Sequence, residues 1–122
     1  MMILADTSIW IDHFRGRLSG LQPCLDRGEV MIHPFVIGEL LLSGVDRRPG
    51  AVAELRKLPQ AARPRVEETE ALILSESLGG RGVGYVDTVI LTAVRLQPGA
   101  RLWTLDLKLQ AIAAAMSVAF ER

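Results

Sequence analysis

Met2-Ile3-Leu4-Ala5-Asp6-Thr7-Ser8-Ile9-Trp10-Ile11-Asp12 is the stretch from which the fold is read. Four apolar residues in succession, cut off by an acid, read as a short buried strand. Thr7 or Ser8 then offers an N-cap for a helix predicted from about Ile9 to Arg15. A buried strand that runs through an acid into a helix is the opening of a β-α unit. The same order returns late in the chain, where Arg101 to Leu105 reads as a strand, Asp106 stands at its end, and Leu107 to Met116 reads as a helix.

Between these two units the pattern keeps alternating. Gly16 and Gly20 break the chain around Leu18, and a short helix runs through Leu21 and Leu25 to Gly28. Val30 to Ile32 is a second strand or an extended connector. Pro34 suits a first helical turn, and Phe35 to Ser43 is a helix that is apolar almost all round, ended by Gly44. Arg47 to Gly50 is a polar turn, Ala51 to Leu58 a short amphipathic helix, and Pro64 to Val66 a further strand candidate. Glu67 to Leu78 has helical spacing with an acidic first turn. Gly79-Gly80-Arg81-Gly82-Val83-Gly84 is a flexible loop, Asp87 or Thr88 begins an apolar helix to Leu96, and Ser117 to Phe120 supplies a last strand. Strands alternating with helices predict one α/β domain over 1–122, a central parallel sheet with helices on both faces. In such sheets functional groups gather at the carboxyl ends of the strands, where Asp6 and Asp106 fall.

Composition narrows the function. At 122 residues and 49% hydrophobic, the chain suits a single packed domain and not a disordered one. No apolar run approaches the roughly 20 residues of a membrane span. The opening residues lack the basic region and long apolar core of a signal peptide, so a cytoplasmic protein is expected. The single Cys24 excludes an intrachain disulfide, and its neighbours offer nothing to activate a thiol. The 14 basic and 14 acidic residues cancel. Acids given over to a cation would leave the remainder net positive, and nearly all of that positive charge is arginine, which suits bidentate phosphate contacts and is equally what a GC-rich genome encodes.

Four acids sit in apolar company. Glu39 lies within Phe35-Val36-Ile37-Gly38-Glu39-Leu40-Leu41-Leu42, and Asp87 within Val83-Gly84-Tyr85-Val86-Asp87-Thr88-Val89-Ile90-Leu91. Asp6 follows Ile3-Leu4-Ala5 and Asp106 follows Leu102-Trp103-Thr104-Leu105. A buried carboxylate is costly unless paired or bound to metal. Each acid alone also reads plainly: Asp6 and Asp106 as turn formers or caps, Asp87 as an N-cap, Glu39 as the partner of an arginine. Taken together they form a hard oxygen donor set, suited to Mg²⁺ or Mn²⁺. Such a cation polarises a phosphoryl oxygen and lowers the pKa of a bound water, which makes a nucleophile for phosphodiester hydrolysis. Competing chemistries lack their parts: no Cys/His cluster for zinc, no nucleophile elbow, no P-loop.

These segments resemble a known family. Leu4-Ala5-Asp6-Thr7-Ser8-Ile9-Trp10-Ile11-Asp12 is similar to the first motif of PIN domains, in particular the VapC toxins of type II toxin–antitoxin systems. His33-Pro34-Phe35-Val36-Ile37-Gly38-Glu39-Leu40 resembles the second, Gly84-Tyr85-Val86-Asp87-Thr88 the third, and Leu102-Trp103-Thr104-Leu105-Asp106 the fourth. Thr88 departs mildly from the small residue that often follows the third acid. The resemblance implies a PIN-like parallel sheet and endoribonuclease activity dependent on Mg²⁺ or Mn²⁺ held by Asp6, Glu39, Asp87 and Asp106. It also implies a homodimer and a cognate VapB-type antitoxin that blocks the site.

Around the acids, Thr7, Ser8 and Thr104 could orient a carboxylate, or could simply cap helices and strand ends. Thr104 stands two residues before Asp106, on the same strand face. Asp12, beside His13 and near Arg15, reads as an exposed helix face. Arg15, Arg17 and Arg81 are candidates to hold RNA phosphates, or are solvated surface arginines. His13 and His33 read as structural or surface residues. Trp10, Phe14 and Trp103 read as core or dimer interface, and Trp10, Phe35 and the Ala51–Leu58 helix are candidate dimer surface. A phosphoacceptor receiver domain fits the length, but it wants adjacent acids after the first strand, a mid-chain aspartate and a late lysine. A haloacid-dehalogenase-type phosphatase wants an Asp where Ser8 stands. A non-catalytic interaction domain on the same fold is the alternative that keeping all four acids disfavours.

Overall fold

In the computed structural model, described over residues 1–17, 20–46 and 48–121, three short strands form the centre. They are β1 (Ile3–Ala5), β2 (Val30–Met31) and β3 (Arg101–Trp103), parallel and ordered β2-β1-β3. Ile3 pairs with Val30 on one side and Arg101 on the other, and Leu4 with Met31 and Leu102. Side chains of successive strand residues point to opposite faces. Ile3, Leu4 and Ala5 are all 0% exposed, so both faces of the central strand are covered. That is the α/β architecture expected of the alternation, a parallel sheet covered on both faces.

Six helices surround the sheet: α1 (Thr7–Phe14), α2 (Leu21–Asp26), α3 (Pro34–Ser43), α4 (Val66–Ser75), α5 (Tyr85–Leu96) and α6 (Leu107–Ala115). α1 packs on α3 and α4 on α5, while α5 and α6 contact β3. Trp10, Ile9, Leu21, Leu40, Ile90, Leu91 and Leu109 fill the core with the strand residues. Trp10, at 1% exposure, belongs to that core and not to any interface surface.

Several elements differ from the sequence expectation for local reasons. α1 starts two residues early, because Asp6 and not Thr7 or Ser8 is its N-cap, its Oδ1 accepting from the Ile9 amide at 3.3 Å. The segment around Ala51–Leu58 makes only a 3-10 turn over Ala53–Lys57 that Leu58 leaves in extended backbone, and its apolar residues Val52 and Leu55 are buried. Pro64–Val66 is no strand: Arg65 is the N-cap of α4, its amide donating to Glu68 Oε1 at 2.8 Å. α5 begins at Tyr85, which makes Asp87 its third residue and not its cap. β3 stops at Trp103, and Asp106 is the N-cap of α6. Ser117 takes a positive φ of 61°, so the final strand shrinks to a bridge between Ala119 and Leu102. Leu18, and Arg47 at the head of the polar turn, lie outside the described residues. α3 is not buried all round either: Leu42 is 91% exposed and Leu41 50%. Its end is as read, with Gly44 at φ 73° in the left-handed conformation that glycine adopts without strain.

Leu4 is the middle of the middle strand. Leu4→Ala should cost about 2–5 kcal/mol of stability, the range for emptying a leucine site in a packed core. Urea unfolding followed by far-ultraviolet circular dichroism would check it. A loss under about 1 kcal/mol would mean the sheet tolerates a void at its centre.

Candidate active site

The site is built outward from the carboxyl end of β1. The amide of Asp6 donates to the Trp103 carbonyl at 3.0 Å, which carries the β1·β3 ladder one step beyond the strands. Asp6 is therefore fixed by backbone pairing before its side chain makes any contact. The side chain is 5% exposed, and its Oδ1 accepts from the Ser8 hydroxyl (2.5 Å) as well as from the Ile9 amide. Burial raises the Asp6 carboxyl above its ordinary value, while hydrogen bonding to the Ser8 and Thr104 hydroxyls opposes the rise.

Two hydroxyls tie the acids to one another's supports. Ser8 Oγ also accepts the Leu105 amide at 3.0 Å, linking the start of α1 to the loop that delivers Asp106. Thr7 Oγ1 donates to Glu39 Oε1 at 2.6 Å, holding the half-buried carboxylate of α3 against α1. Thr104, beyond the end of β3, accepts the Asp106 amide on its Oγ1 at 3.0 Å. Asp106 spends its Oδ1 on the Lys108 and Leu109 amides (2.9 and 3.1 Å), which leaves its second oxygen without a hydrogen-bond partner among the described residues.

Asp87 joins the group electrostatically. Standing in the first turn of α5, where the helix dipole favours negative charge, it is nevertheless raised from 3.8 to about 6. Burial is the largest cause, followed by the charges of Asp6, Glu39 and Asp106. A carboxyl responds to like charges only when they are near and poorly screened, so acids from residues 6, 39, 87 and 106 share one electrostatic neighbourhood. Among the described residues, no three acidic, histidine or cysteine side chains are already gathered as a ready ligand cage. What stands near the carboxyl end of the sheet is a loose set of acids whose charges are felt at Asp87, with one Asp106 oxygen that takes no hydrogen bond among the described residues.

The three arginines of the sequence reading are exposed and stand apart. Arg15 follows the last turn of α1 and Arg17 lies just past it, so both are roughly 13 Å or more along the helix axis from Asp6. Arg81 sits in the glycine loop between α4 and α5, its amide on the Leu78 carbonyl. Asp12 is half-buried on α1.

A groove of about 400 Å³ opens between the first turns of α3, α4 and α5, and none of the four acids lines it. Its walls include His33, Phe35, Arg63, Val66 and Tyr85. Sequence reasoning passed over it, because its residues come from three separate segments and none is unusual where it stands. His33 is 2% exposed and caps α3, its Nδ1 accepting the Phe35 amide at 3.0 Å. Burial, and then the charge of Arg63, lower His33 to about 4, so it is neutral at physiological pH. With Nδ1 an acceptor, the proton of the neutral ring is on Nε2. Among the described residues that nitrogen is buried without a hydrogen-bond partner. The one signal in the sequence was His33-Pro34, since the residue before proline is driven into the extended conformation that an N-cap needs.

The raised Asp87 carries a testable sign. Between 3.8 and about 6 the folded protein keeps a proton that the unfolded chain has lost, so this group's contribution to stability falls as pH rises through that window. Asp6 acts in the same sense, and His33, lowered from 6.5 to about 4, in the opposite one. The clean measurement is therefore a difference. In EDTA, thermal melts of Asp87→Asn should gain on those of the parent as pH climbs from 4 to 6.5, and the variant should be the more stable above about 6. Parallel melting curves would show that the other three acids do not press on Asp87.

No protein-family profile matches the sequence. The fold resembles the crystal structure of PAE2754 from Pyrobaculum aerophilum, with a TM-score of 0.65 over 98% of this chain and 88% of that one. At 17% identity this likeness speaks for the fold alone. Ribonuclease VapC32 of Mycobacterium tuberculosis, from strains CDC 1551/Oshkosh and H37Rv, is 41% identical over 118 residues. The match spans 97% of this chain and 95% of the relative. With that identity over nearly its whole length, and with the PIN-like sheet and its carboxylates at the strand ends, the chain belongs to the VapC family of PIN-domain ribonucleases.

Proposed function

We propose that this chain is a metal-dependent endoribonuclease, the toxin of a type II toxin–antitoxin pair, with Asp6, Glu39, Asp87 and Asp106 as the residues that hold Mg²⁺ or Mn²⁺. The observation that carries this reading is the rise of Asp87 to about 6, caused first by burial and then by the charges of Asp6, Glu39 and Asp106. Four acids from four segments gain nothing for stability by sharing one neighbourhood, and a divalent cation offsets all of them at once. The cation would supply charge for the phosphoryl oxygens and an activated water for phosphodiester hydrolysis. The protein's part is to hold the carboxylates in place. Ser8 and Thr104 orient Asp6, Thr7 orients Glu39, and the N-cap bonds of α6 aim Asp106. The exposed Arg81 of the glycine loop remains a candidate for an RNA phosphate, and Arg15 and Arg17, past the end of α1, would serve a longer RNA.

The family reading also carries partners. A cognate VapB-type antitoxin would set a lysine or arginine on the carboxylates, replacing the metal's charge. The exposed Leu105 and Leu107 beside Asp106 offer apolar surface for such a contact. A homodimer is the companion proposal, supported by Leu41 and Leu42 on α3 and Leu96 on α5, which are large apolar side chains left exposed in one copy. An RNA substrate and an antitoxin partner both place the work in the cytoplasm.

Cleavage of RNA should require Mg²⁺ or Mn²⁺ and should vanish in EDTA, while Ca²⁺, larger and looser in geometry, should support it poorly. Activity that persists on nuclease-free RNA after exhaustive chelation would sink the metal reading. Asp6→Asn and Asp87→Asn should each abolish cleavage in vitro and growth arrest in cells without loss of fold, whereas Asp12→Asn should change little. Thr7→Val, which removes the bond to Glu39, should lower activity by about ten- to a hundredfold. An unaltered rate would remove Thr7 from the machinery. Light scattering at tens of micromolar should return the mass of a dimer.

A further inference from the structure

We propose that the groove between α3, α4 and α5 receives a nucleobase of the RNA next to the cleaved phosphate, with Phe35 and Tyr85 as stacking walls, His33 Nε2 as donor to the base edge and Arg63 on the adjoining phosphate. The proposal rests on the ribonuclease reading, which it deepens by naming where the base is held.

Place comes first. Phe35 and Glu39 are four residues apart on α3, one turn of the helix, and Tyr85 and Asp87 are two apart on α5. Residues four apart on a helix share a face and residues two apart do not, so the groove adjoins the acids at Glu39 on α3, while on α5 it takes the face of Tyr85 and Val89 and not that of Asp87. Surface comes next: Phe35 is 46% exposed and Tyr85 50%, two aromatic side chains on a protein with only six aromatic residues of Phe, Trp and Tyr type. Aromatic faces of this kind stack bases without regard to sequence. Arg63 is exposed at the rim and makes no ion pair among the described residues, so its charge is available to an anion.

The unpartnered imidazole narrows the occupant. His33 Nε2–H is buried, finds no acceptor among the described residues, and belongs to a residue of the groove wall. The half-exposed Phe35 ring packs edge-on against it, centroid to centroid 4.9 Å. An apolar side chain from a second copy or a partner helix would fill the volume but leave both Nε2–H and Arg63 unanswered. A nucleotide brings a flat ring, an acceptor on its edge and a phosphate in one unit.

The test uses full-length Asp6→Asn protein in EDTA, labelled for NMR, with hexameric oligoadenylate, oligocytidylate and oligouridylate as probes. The His33 ring, Tyr85 and Arg63 signals should move on titration, with affinity differing among the three RNAs. Phe35→Ala and Arg63→Ala should each weaken binding about tenfold, and in the active protein should raise KM more than they lower kcat. Arg63 is exposed, so its variant keeps the test open if Phe35→Ala misfolds. RNA binding that leaves the groove signals unmoved overturns the proposal. So do groove signals that respond to protein concentration and not to RNA, which would give the groove to a second copy. If no RNA is cut but the groove signals still move, the cleavage reading fails and the groove stands. If RNA is cut with KM unchanged in both variants, the groove fails and cleavage stands.

Discussion

Everything at the working edge of this molecule depends on β1 being covered on both faces. A strand only three residues long has too few backbone bonds to hold itself, so it is kept by packing and by parallel neighbours on each side. Because Ile3, Leu4 and Ala5 cannot slip without turning apolar side chains toward water, the next residue, Asp6, has one position. Its amide is then claimed by Trp103, and its carboxylate by Ser8 and Ile9. The cost of leaving a charge at 5% exposure is offset in part by these donors, and the charge of Asp6 adds to the burial that raises Asp87.

The arrangement of hydroxyls shows how the fold shares this load. Ser8 serves both Asp6 and the backbone of Leu105, so the spacing between the first and last acids is set by one small side chain. Thr7, its neighbour, does the same for Glu39. Two consecutive residues at the head of α1 thus reach two different supports, because adjacent helical positions point about 100° apart.

Which parts were legible in the sequence follows from the range of the forces involved. The strand-acid-helix units at Asp6 and Asp106 rest on local alternation of apolar and polar residues, and so they could be read directly. The cap could not be assigned by residue type alone: Asp6, Thr7 and Ser8 are all good N-caps, and the choice of Asp6 came from its pairing with β3, nearly a hundred residues away. Pro64–Val66 has strand-like composition, yet the local Arg65–Glu68 bond makes it a helix start. The acids were visible because charge amid apolar sequence is anomalous wherever the chain goes. Leu41 and Leu42 misled for the complementary reason, since periodicity says a helix is apolar but not whether its outer side has a partner. The groove at His33 could not be read at all, because an unsatisfied nitrogen is a property of three-dimensional surroundings and not of a residue type.

The bond between Ser8 and Leu105 joins positions 97 residues apart, and the strands it secures are likewise the first and last of the sheet in chain order. Such long-range pairings close late, since the entropy of a large loop must be given up before any contact rewards it. During synthesis the earlier helices can gather while β1 still lacks one neighbour and Asp6 lacks its backbone acceptor. The set of four acids is therefore incomplete on a growing chain until residue 106 has been delivered and β3 has paired with β1.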